Sequence, residues 1–356
     1  MMAIDPMQTK IIPVSLQKPD MDIINQAAQL IQSGQLVAFP TETVYGLGAD
    51  AFNAGAVQTI FSVKQRPSSD PLIVHIQNIR ELTSVAINIP DSALELADQY
   101  WPGPLTLILE KHPDIPLSVT AGGQTIAVRL PAHPIARLLI QQSCCPIAAP
   151  SANRFSRPSP TLAQHVFDDL DARISMIIDG GATDIGLEST VLDLTQSPPC
   201  ILRPGGIILE DLKSSIPDVH MSTRYLDAQN STHRSPGQLF KHYAPKARLL
   251  LFSGDHTDKI LTAMEEQIHH LLKNNKTVGV MVTDENAAFF QNKGGTIMKL
   301  GSINDLGTVA KKLFACMRTL DSQSMNYILM KMPPEIGLGW ALKDRLIRAA
   351  YEIINV

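Results

Sequence analysis

The sequence predicts an α/β protein with an open, twisted, mixed sheet and flanking helices in residues 1–210, and a smaller parallel, Rossmann-like α/β domain in residues 247–356. Short apolar runs typical of strands alternate with segments of helical spacing along most of the chain. A polar, turn-rich stretch at residues 227–237 interrupts this alternation. At 356 residues the chain is also longer than a single core usually holds. A loop this long is usually a functional lid or a disordered spacer, and we expect residues 211–246 to be a linker that serves as an active-site lid.

In the first domain, the spacing of apolar residues predicts a helix at Asp20–Ser33 that stops at Gly34, a residue suited to a helix C-terminus. Asn53 is a suitable N-cap for a helix that runs to about Lys64 and ends before Pro67. The expected strands are Leu36–Phe39, Leu72–Ile76, Leu105–Leu109, Thr125–Arg129, Met176–Asp179, Thr190–Leu194 and Cys200–Arg203. The other expected helices are Asp91–Gln99, His133–Gln141 and Thr161–Phe167.

The second domain shows a regular alternation of strands and helices, which predicts a small parallel sheet. It carries no glycine-rich phosphate fingerprint, so its topology does not by itself imply a nucleotide site. The expected elements are strand Arg248–Phe252, helix Thr257–Lys273, strand Thr277–Val282, helix Asn304–Leu320, strand Asn326–Met330 and helix Leu342–Tyr351.

Composition and charge argue against several classes of protein. No apolar run approaches the roughly 18 residues that a membrane helix needs, and the N-terminus lacks the apolar region of a secretory signal. The four cysteines show no zinc-type spacing and fit a reducing compartment, so we expect a cytoplasmic protein. Residues 1–210 carry 12 Lys and Arg against 20 Asp and Glu. This acidic balance disfavours a broad nucleic-acid surface and favours a focused anion pocket.

Two cations and a Ser/Asn pair provide the strongest functional signal. Lys64 and Arg66 precede a proline-bounded turn, and Ser151 and Asn153 follow a short apolar run. Lysine supplies a mobile point charge, arginine a bidentate fork, and serine and asparagine neutral donors. The combination indicates a polyphosphate site, although an isolated Lys-x-Arg at a helix end is about as often a solvated pair that offsets the helix dipole.

Further polar clusters lie at the ends of successive predicted strands. Each has a structural alternative: Thr41-Glu42-Thr43 could form an ordinary turn, Arg129 could only edge the sheet, and His75 could be a core histidine. Ser189 stands at a strand entry and Arg203 at a strand exit. Together they are harder to dismiss, because ligands of open α/β sheets bind at strand ends. Walker, dinucleotide, zinc-helix and nucleophile-elbow motifs are absent from the sequence, so nucleotide chemistry would need a different scaffold.

These motifs resemble those of the long, two-domain form of the Sua5/YrdC/YciO family, and the resemblance runs essentially end to end. The matching segments are Pro40–Gly48, Lys64–Pro67, Ser151–Asn153, Glu188–Thr190 and His242–Pro245. Members of this family are threonylcarbamoyl-AMP synthases. The resemblance therefore implies that L-threonine, bicarbonate and ATP are converted to threonylcarbamoyladenylate, pyrophosphate and water, for the t6A modification of tRNA.

The resemblance also implies roles for individual residues. The residues expected to bind ATP are Lys64, Arg66, Asp70, Thr125, Ser151, Asn153, Ser159, Arg203 and Tyr243. The residues expected to bind L-threonine are Thr43, His75, Arg129, Ala149 (through its backbone) and Ser189. Catalysis is assigned to Lys64, Arg66, Ser151 and Asn153. No protein metal site is expected, since Mg²⁺ would be carried by the ATP phosphates.

Two positions depart from the family pattern. Gln238 stands where methionine is frequent, and Asp70 stands where asparagine is common. The acidic side chain of Asp70 argues against a direct phosphate contact and leaves a ribose or magnesium contact open.

Two other functions remain open at this point. One is an RNA-binding module, against which the acidic first part argues, and the other is carbamoyl transfer to a different acceptor. We expect the product to pass to the downstream tRNA threonylcarbamoyltransferase machinery and expect no membrane association, and direct binding of tRNA is left open. The composition is compatible with a monomer, and the second domain is interpreted as a brace for the linker.

Overall fold

The computed structural model describes residues 8–222 and 242–356, and these form two compact units. The first unit comprises residues 8–155, 159–184 and 188–222, and the second comprises residues 156–158, 185–187 and 242–356. Most of the predicted lid, including Gln238, lies outside the described residues. No helix in the described part of the chain is long and apolar enough to cross a membrane.

The first unit is built of short strands and short helices, as the sequence predicts. Its strands are β1 (Lys10–Pro13), β2 (Val37–Phe39), β3 (Gly46–Asp50), β4 (Ile73–His75), β5 (Ala86–Ile87), β6 (Leu105–Lys111), β7 (Thr125–Arg129), β8 (Ile147–Ala148), β9 (Met176–Asp179), β10 (Thr190–Asp193), β11 (Cys200–Arg203) and β12 (His220–Met221). Its helices are α1 (Met21–Gln32), α2 (Ala54–Lys64), α3 (Leu82–Val85), α4 (Asp91–Tyr100), α5 (Pro134–Ser143), α6 (Ala163–Leu170) and α7 (Leu209–Ser215).

These strands form one mixed sheet in the order β1-β9-β2-β3-β8-β4-β7-β6-β10-β11-β12, with β5 beside β6. Side chains alternate between the two faces of each strand. In β7, Ile126 and Val128 enter the largest apolar core, whereas Ala127 joins a small cluster on the other face. Helices α1 and α5 cover part of that second face with a core of their own. The sheet therefore has one fully packed face and one that is only partly covered by helices of this unit.

Two short elements lie at the start of the predicted linker. Residues 211–222 were predicted to belong to it, and in the structure α7 extends into them and β12 lies within them, both as parts of the first unit. Leu212 is fully buried in the main core, and His220 of β12 pairs in parallel with Cys200 of β11. A seven-residue helix and a two-residue strand are too short to stand out as a periodic pattern.

The second unit is a five-stranded parallel sheet with helices on both faces, which confirms the prediction. Its strands are β13 (Arg248–Ser253), β14 (Val278–Val282), β15 (Thr296–Lys299), β16 (Tyr327–Lys331) and β17 (Glu352–Asn355). Its helices are α8 (Thr257–Lys273), α9 (Asp284–Ala287), α10 (Leu306–Ser322) and α11 (Gly339–Ala349). The order is β15-β14-β16-β13-β17, so the two strands that the sequence did not predict are the outer ones. Edge strands bury less surface and give a weaker apolar pattern.

Candidate active site

Neighbouring strands of the first sheet bring several of the predicted site residues to one face. The register of β4 and β7 places His75 opposite Arg129 and Ile73 opposite Ala127. Because the side chains of paired residues point to the same face, the two polar residues stand together beside a small apolar cluster. The cluster consists of Ile73, Ile108, Ala127, Val191, Cys200 and Leu202.

Arg129 is the most fully fixed of these side chains. Its Nη1 donates to Thr43 Oγ1 at 3.0 Å, its Nε donates to the carbonyl oxygen of Gly103 at 3.1 Å, and its Nη2 lies 2.6 Å from Glu42 Oε1. Arg129, Glu42 and Thr43 are all buried. A buried ion pair needs such additional hydrogen bonds to offset the desolvation of both charges. The arrangement fixes a cation and a hydroxyl in one orientation.

Burial and the charge of Arg129 set the protonation of the neighbouring groups. Burial raises the pKa of Glu42, but the charge and hydrogen bond of Arg129 outweigh it and hold that pKa below its usual value. Burial, assisted by the charge of Arg129, lowers the pKa of His75 to about 3. His75 is therefore neutral at physiological pH, and its Nδ1 has no hydrogen-bond partner in the structure. It is an unused polar atom beside the cation.

Ser189 and Arg203 form a second cluster at the entry of β10. Arg203 Nη2 donates to the carbonyl oxygen of Ser189 at 2.9 Å and to its Oγ at 3.1 Å. The hydroxyls of Ser189 and Thr106 lie 2.7 Å apart. A Cβ at Gly205 would come within 2.5 Å of the backbone of residues 188–190, so only glycine fits where the chain leaves β11. Close packing of the backbone at Gly205 against residues 188–190 thus positions the hydroxyl of Ser189.

Lys64 and the Ser151–Asn153 segment lie together, as the sequence predicts. Lys64 is almost fully buried, and its Nζ donates to the carbonyl oxygen of Ser151 at 2.5 Å and to that of Asn153. Ser151 Oγ donates to Asn153 Oδ1 at 2.5 Å. The segment is held along β3 by hydrogen bonds from Leu47 N–H to Pro150 and from Ala152 N–H to Tyr45. These hydrogen bonds connect Lys64, at the end of α2, to the segment that runs beside β3.

Arg66 and Asp70 form a buried ion pair. Arg66 Nη2 lies 2.9 Å from Asp70 Oδ2 and also donates to the carbonyl oxygen of Pro71 at 2.9 Å. Asp70 is fully buried. A carboxylate in this position orients the guanidinium of Arg66, and this role of Asp70 does not require a contact with phosphate. Its contact with ATP stays a prediction.

Thr125 and Ala149 occupy different parts of the same region. Thr125 begins β7, about 13 Å along the strand from Arg129, and it pairs with Glu110 of β6, whereas Arg129 pairs with His75 of β4. Ala149 donates its N–H to the carbonyl oxygen of Ile73 at 2.9 Å, so a ligand contact through its backbone would use its carbonyl oxygen. The predicted site therefore extends along β4 and β7 instead of gathering at one point.

Tyr243 belongs to the second unit, where it is buried. Its ring stacks on Phe314 with centroids 5.5 Å apart, and the guanidinium of Arg345 lies 5.4 Å from the ring centroid. These contacts place Tyr243 in the core of that unit. Its contact with ATP stays a prediction.

The comparisons with known proteins agree with these observations. The Sua5/YciO/YrdC profile, described as telomere recombination, matches residues 29–205. A profile described as the C-terminal domain of threonylcarbamoyl-AMP synthase matches residues 207–351. A Pyrococcus abyssi protein named threonylcarbamoyl-AMP synthase is 43% identical over 337 residues, which are 94% of this chain and 96% of that protein. The chain belongs to the Sua5/YrdC/YciO family.

Other members of the Sua5/YrdC/YciO family match it equally broadly. A Bacillus subtilis protein named threonylcarbamoyl-AMP synthase is 43% identical over 332 residues, 92% of each chain. The crystal structure of P. abyssi Sua5 complexed with L-threonine matches with a TM-score of 0.90 and 42% identity, covering 98% of this chain and 100% of that one. The resemblance and the two-domain fold expected from the motifs are thus confirmed.

Three residues to which the sequence analysis gave no role contact residues of the predicted site. Glu42 pairs with Arg129, Thr106 bonds Ser189, and Glu188 accepts a hydrogen bond from Ser159 Oγ. Thr106 carried a usable signal, because it is a polar residue inside the otherwise apolar start of β6. Glu42 and Glu188 lie within segments that match the family motifs, but the sequence does not indicate their hydrogen-bond partners.

The binding of Mg²⁺ through the ATP phosphates stays a prediction. Among the described residues, no group of three or more His, Cys, Asp and Glu side chains could hold a metal ion. The carboxylates of Glu42 and Asp70 are already paired with arginines. The donor set is therefore one for anions, with cations and hydroxyls in excess.

Proposed function

We propose that this chain is a threonylcarbamoyl-AMP synthase, which converts L-threonine, bicarbonate and ATP to L-threonylcarbamoyladenylate, pyrophosphate and water. The observation that carries the proposal is the buried set of Arg129, Thr43 and His75, a cation, a hydroxyl and a neutral imidazole on one face of the sheet. Such a set is complementary to an amino acid, whose carboxylate needs a cation and whose amine and hydroxyl need polar partners.

Threonine would be oriented by this set before it reacts. Arg129 would bind its carboxylate, and the free Nδ1 of His75 would accept a hydrogen bond from its amine or hydroxyl. Ser189, fixed by Arg203 and Thr106, would supply a further hydroxyl. Orientation of this kind lowers the barrier by removing the need to align the reactants in the transition state.

Formation of the adenylate, which follows the binding of threonine, needs positive charge around the triphosphate. The threonine nitrogen first bonds to the carbon of bicarbonate, while a C–O bond breaks and the nitrogen loses a proton, so that water leaves. A carbamate oxygen then attacks the α-phosphorus, and pyrophosphate leaves with the electrons of the broken P–O bond. Lys64 and Arg66 would stabilise the charge that develops on the phosphate oxygens. Mg²⁺ held by the phosphates would neutralise part of their charge. No enzyme nucleophile is required, because the attacking group comes from the substrate.

The labile carbamate and adenylate also require protection from water. We propose that the linker closes over the site and that Tyr243 contributes to this closure. The product would then pass to the tRNA threonylcarbamoyltransferase machinery in the cytoplasm.

The test is release of pyrophosphate from ATP by the purified full-length chain, with and without L-threonine and bicarbonate. We expect release only when both are present, and at least about 100-fold slower release in Lys64→Ala, since removal of one stabilising charge costs roughly that much. Lys18→Ala is the matched control, because Lys18 is exposed and lies outside the site. Circular dichroism would establish that both variants are folded. Release independent of threonine, or none from folded protein that binds ATP, would overturn the proposal.

A further inference from the structure

The second unit contains a cavity of about 590 Å³ at the carboxyl ends of its parallel strands. Residues that follow three neighbouring strands line it: Ser253 at the end of β13, Thr283 after β14, and Met332 after β16. None of the residues predicted to bind ATP or threonine lines it. The cavity is therefore separate from the residues predicted to bind ATP and threonine.

The position of the cavity is the one at which parallel α/β sheets bind ligands. Strands β13 and β16 are adjacent. The helix after β13, α8, packs on one face of the sheet through Ile260 and Met264, whereas the helix after β16, α11, packs on the other through Leu342 and Leu346. Connections that leave neighbouring strands toward opposite faces open a crevice between them, and ligands of such sheets occupy that crevice. A crevice of this kind forms whether or not the sheet carries a glycine-rich phosphate fingerprint.

A single cation lies in the lining of the cavity. Lys331 is the only Lys or Arg among the residues that line it, and its Nζ donates to Thr257 Oγ1 at 2.6 Å. Partial burial lowers its pKa. An ammonium that is held by a hydroxyl on an apolar wall can bind a negatively charged ligand group without first breaking an ion pair.

The acidic residues of the lining are otherwise engaged or exposed. Glu285 accepts hydrogen bonds from the Ser302 hydroxyl and the Ile303 N–H, which lower its pKa to about 2. Glu335 pairs with Lys343, and Asp255 is exposed to solvent. None of the ion pairs seen among the described residues joins these carboxylates to Lys331, but they would repel a ligand with several negative charges. A ligand with a single negative charge would meet the least repulsion.

The remaining wall is largely apolar. It includes Leu261, Met264, Leu306, Val309 and Met330. Methionine side chains adapt their shape to different apolar partners. A ligand with an apolar body would therefore be held by burial, with its charged end directed to Lys331.

We propose that the second unit is a binding module for a small monocarboxylate with an apolar body, whose carboxylate pairs with Lys331 and Thr257 and whose body lies among the leucine and methionine side chains. A carboxylate is preferred over a phosphate because a single ammonium balances a single charge. The site gives this domain a ligand of its own, independent of the chemistry proposed for the first unit.

The methionines of the cavity provide a local readout. We would label the full-length chain with methyl-¹³C methionine, assign the signals with Met264→Leu and Met330→Leu, and titrate with 4-phenylbutyrate and with its neutral amide, 4-phenylbutyramide. We expect the signals of Met264 and Met330 to shift with the acid, and the amide to bind at least about tenfold more weakly, as loss of a charge-assisted hydrogen bond requires.

Two lysine variants separate the proposed pairing from general charge effects. Lys331→Gln should bind the acid and the amide equally, while Lys299→Gln should behave as the parent, because Lys299 is an exposed lysine that ends β15 and does not line the cavity. The methionine spectrum without ligand reports whether each variant is folded. The proposal is overturned if the acid leaves the cavity methionines unshifted at millimolar concentration, if acid and amide bind the parent equally, or if AMP binds there more tightly than the acid.

Discussion

At the scale of single residues, His75 is a buried histidine that is both neutral and incompletely hydrogen-bonded. It is buried beside a cation, so it stays neutral, and it keeps one ring nitrogen without a partner. Burial of a neutral base has a thermodynamic consequence, because the unfolded chain binds a proton that the folded chain does not.

We therefore expect the stability of the first unit to fall as the pH decreases below 6.5. The folded pKa of His75, about 3, lies below its unfolded value of 6.5. Its contribution is fully present above pH 6.5 and is lost as the pH falls toward 3, by up to about 1.4 kcal/mol per pH unit. Between pH 7 and pH 5 the free energy of unfolding should drop by roughly 2 kcal/mol on account of this residue alone.

Urea unfolding at the two pH values measures the effect. The chain has two tryptophans, so in a Trp340→Phe background fluorescence reports the first unit through Trp101. His75→Gln should flatten the pH dependence, and His220→Gln, which replaces an exposed histidine of the same unit, should not. An unchanged pH dependence in His75→Gln would contradict the buried neutral imidazole.

The sequence analysis identified His75 and Arg129 but not the acid that pairs with Arg129. A strand histidine and a strand arginine are conspicuous because each interrupts an apolar run. Glu42 lies in a polar loop, where one more acidic residue is unremarkable, and its pairing with Arg129 spans 87 residues of sequence and depends on the register of separate strands. Contacts of this kind are created by tertiary structure.

At the scale of elements, the entry to β10 depends on a close approach that a single methyl group would prevent. In Gly205→Ala the new Cβ would lie 2.3 Å from the carbonyl oxygen of Glu188 and 2.4 Å from the carbonyl carbon of Ser189. Both are backbone atoms, so β10 and the segment after β11 must separate. We expect a loss of about 2 kcal/mol or more in stability and weaker binding of L-threonine, measured by urea unfolding and by calorimetric titration.

A second glycine provides the comparison. Gly55 lies in the first turn of α2, and a Cβ there would meet Asn53 Oδ1 at an ordinary 3.4 Å. Gly55→Ala should leave threonine binding unchanged and stabilise the helix by up to about 1 kcal/mol. Equal behaviour of the two variants would mean that the close approach at Gly205 is not what positions Ser189.

Elements with strong local signals were predicted well, and those stabilised by neighbours were not. Helix α2 starts after Asn53, whose Oδ1 accepts the Ala56 N–H, and ends at Lys64, as its capping residues indicate. Strands β8 and β12 have two residues each and exist because adjacent strands supply their hydrogen bonds. Such strands have no periodicity for a sequence pattern to reveal.

At the scale of the whole molecule, the two compact units do not correspond to two continuous stretches of chain. Residues 156–158 and 185–187 belong to the second unit although they are flanked by residues of the first. Leu187 is fully buried in the core of the second unit, and a Cβ at Gly186 would come within 2.5 Å of the backbone of Lys311. Arg318 Nη2 donates to the carbonyl oxygen of Pro158.

Leu187→Ala should therefore destabilise the second unit, although residue 187 lies far from it in sequence. We expect a loss of about 2–5 kcal/mol, the usual cost of such a truncation in a core. Hydrogen exchange read by mass spectrometry would show faster exchange in β13 and β16. Leu192→Ala, an equally buried leucine only five positions away but in the core of the first unit, should affect β6 and β7 instead. Identical exchange patterns in the two variants would contradict this division of the chain.

The sequence predicted two domains, with the second at residues 247–356, yet it could not predict the two short segments that the second unit takes from earlier in the chain. A stretch of three residues has no periodicity and no composition of its own. Its membership is decided by packing against a core whose other residues lie more than 50 positions later in the chain.

The same division has a consequence for synthesis on the ribosome. Residues 242–356 are made after Leu187, so Leu187 leaves the ribosome well before the core that buries it exists. At translation rates of roughly 5–20 residues per second, this apolar side chain waits on the order of ten seconds or more. During that interval the nascent chain carries a leucine whose core partners have not yet been made, and transiently exposed apolar side chains of this kind are prone to non-native association.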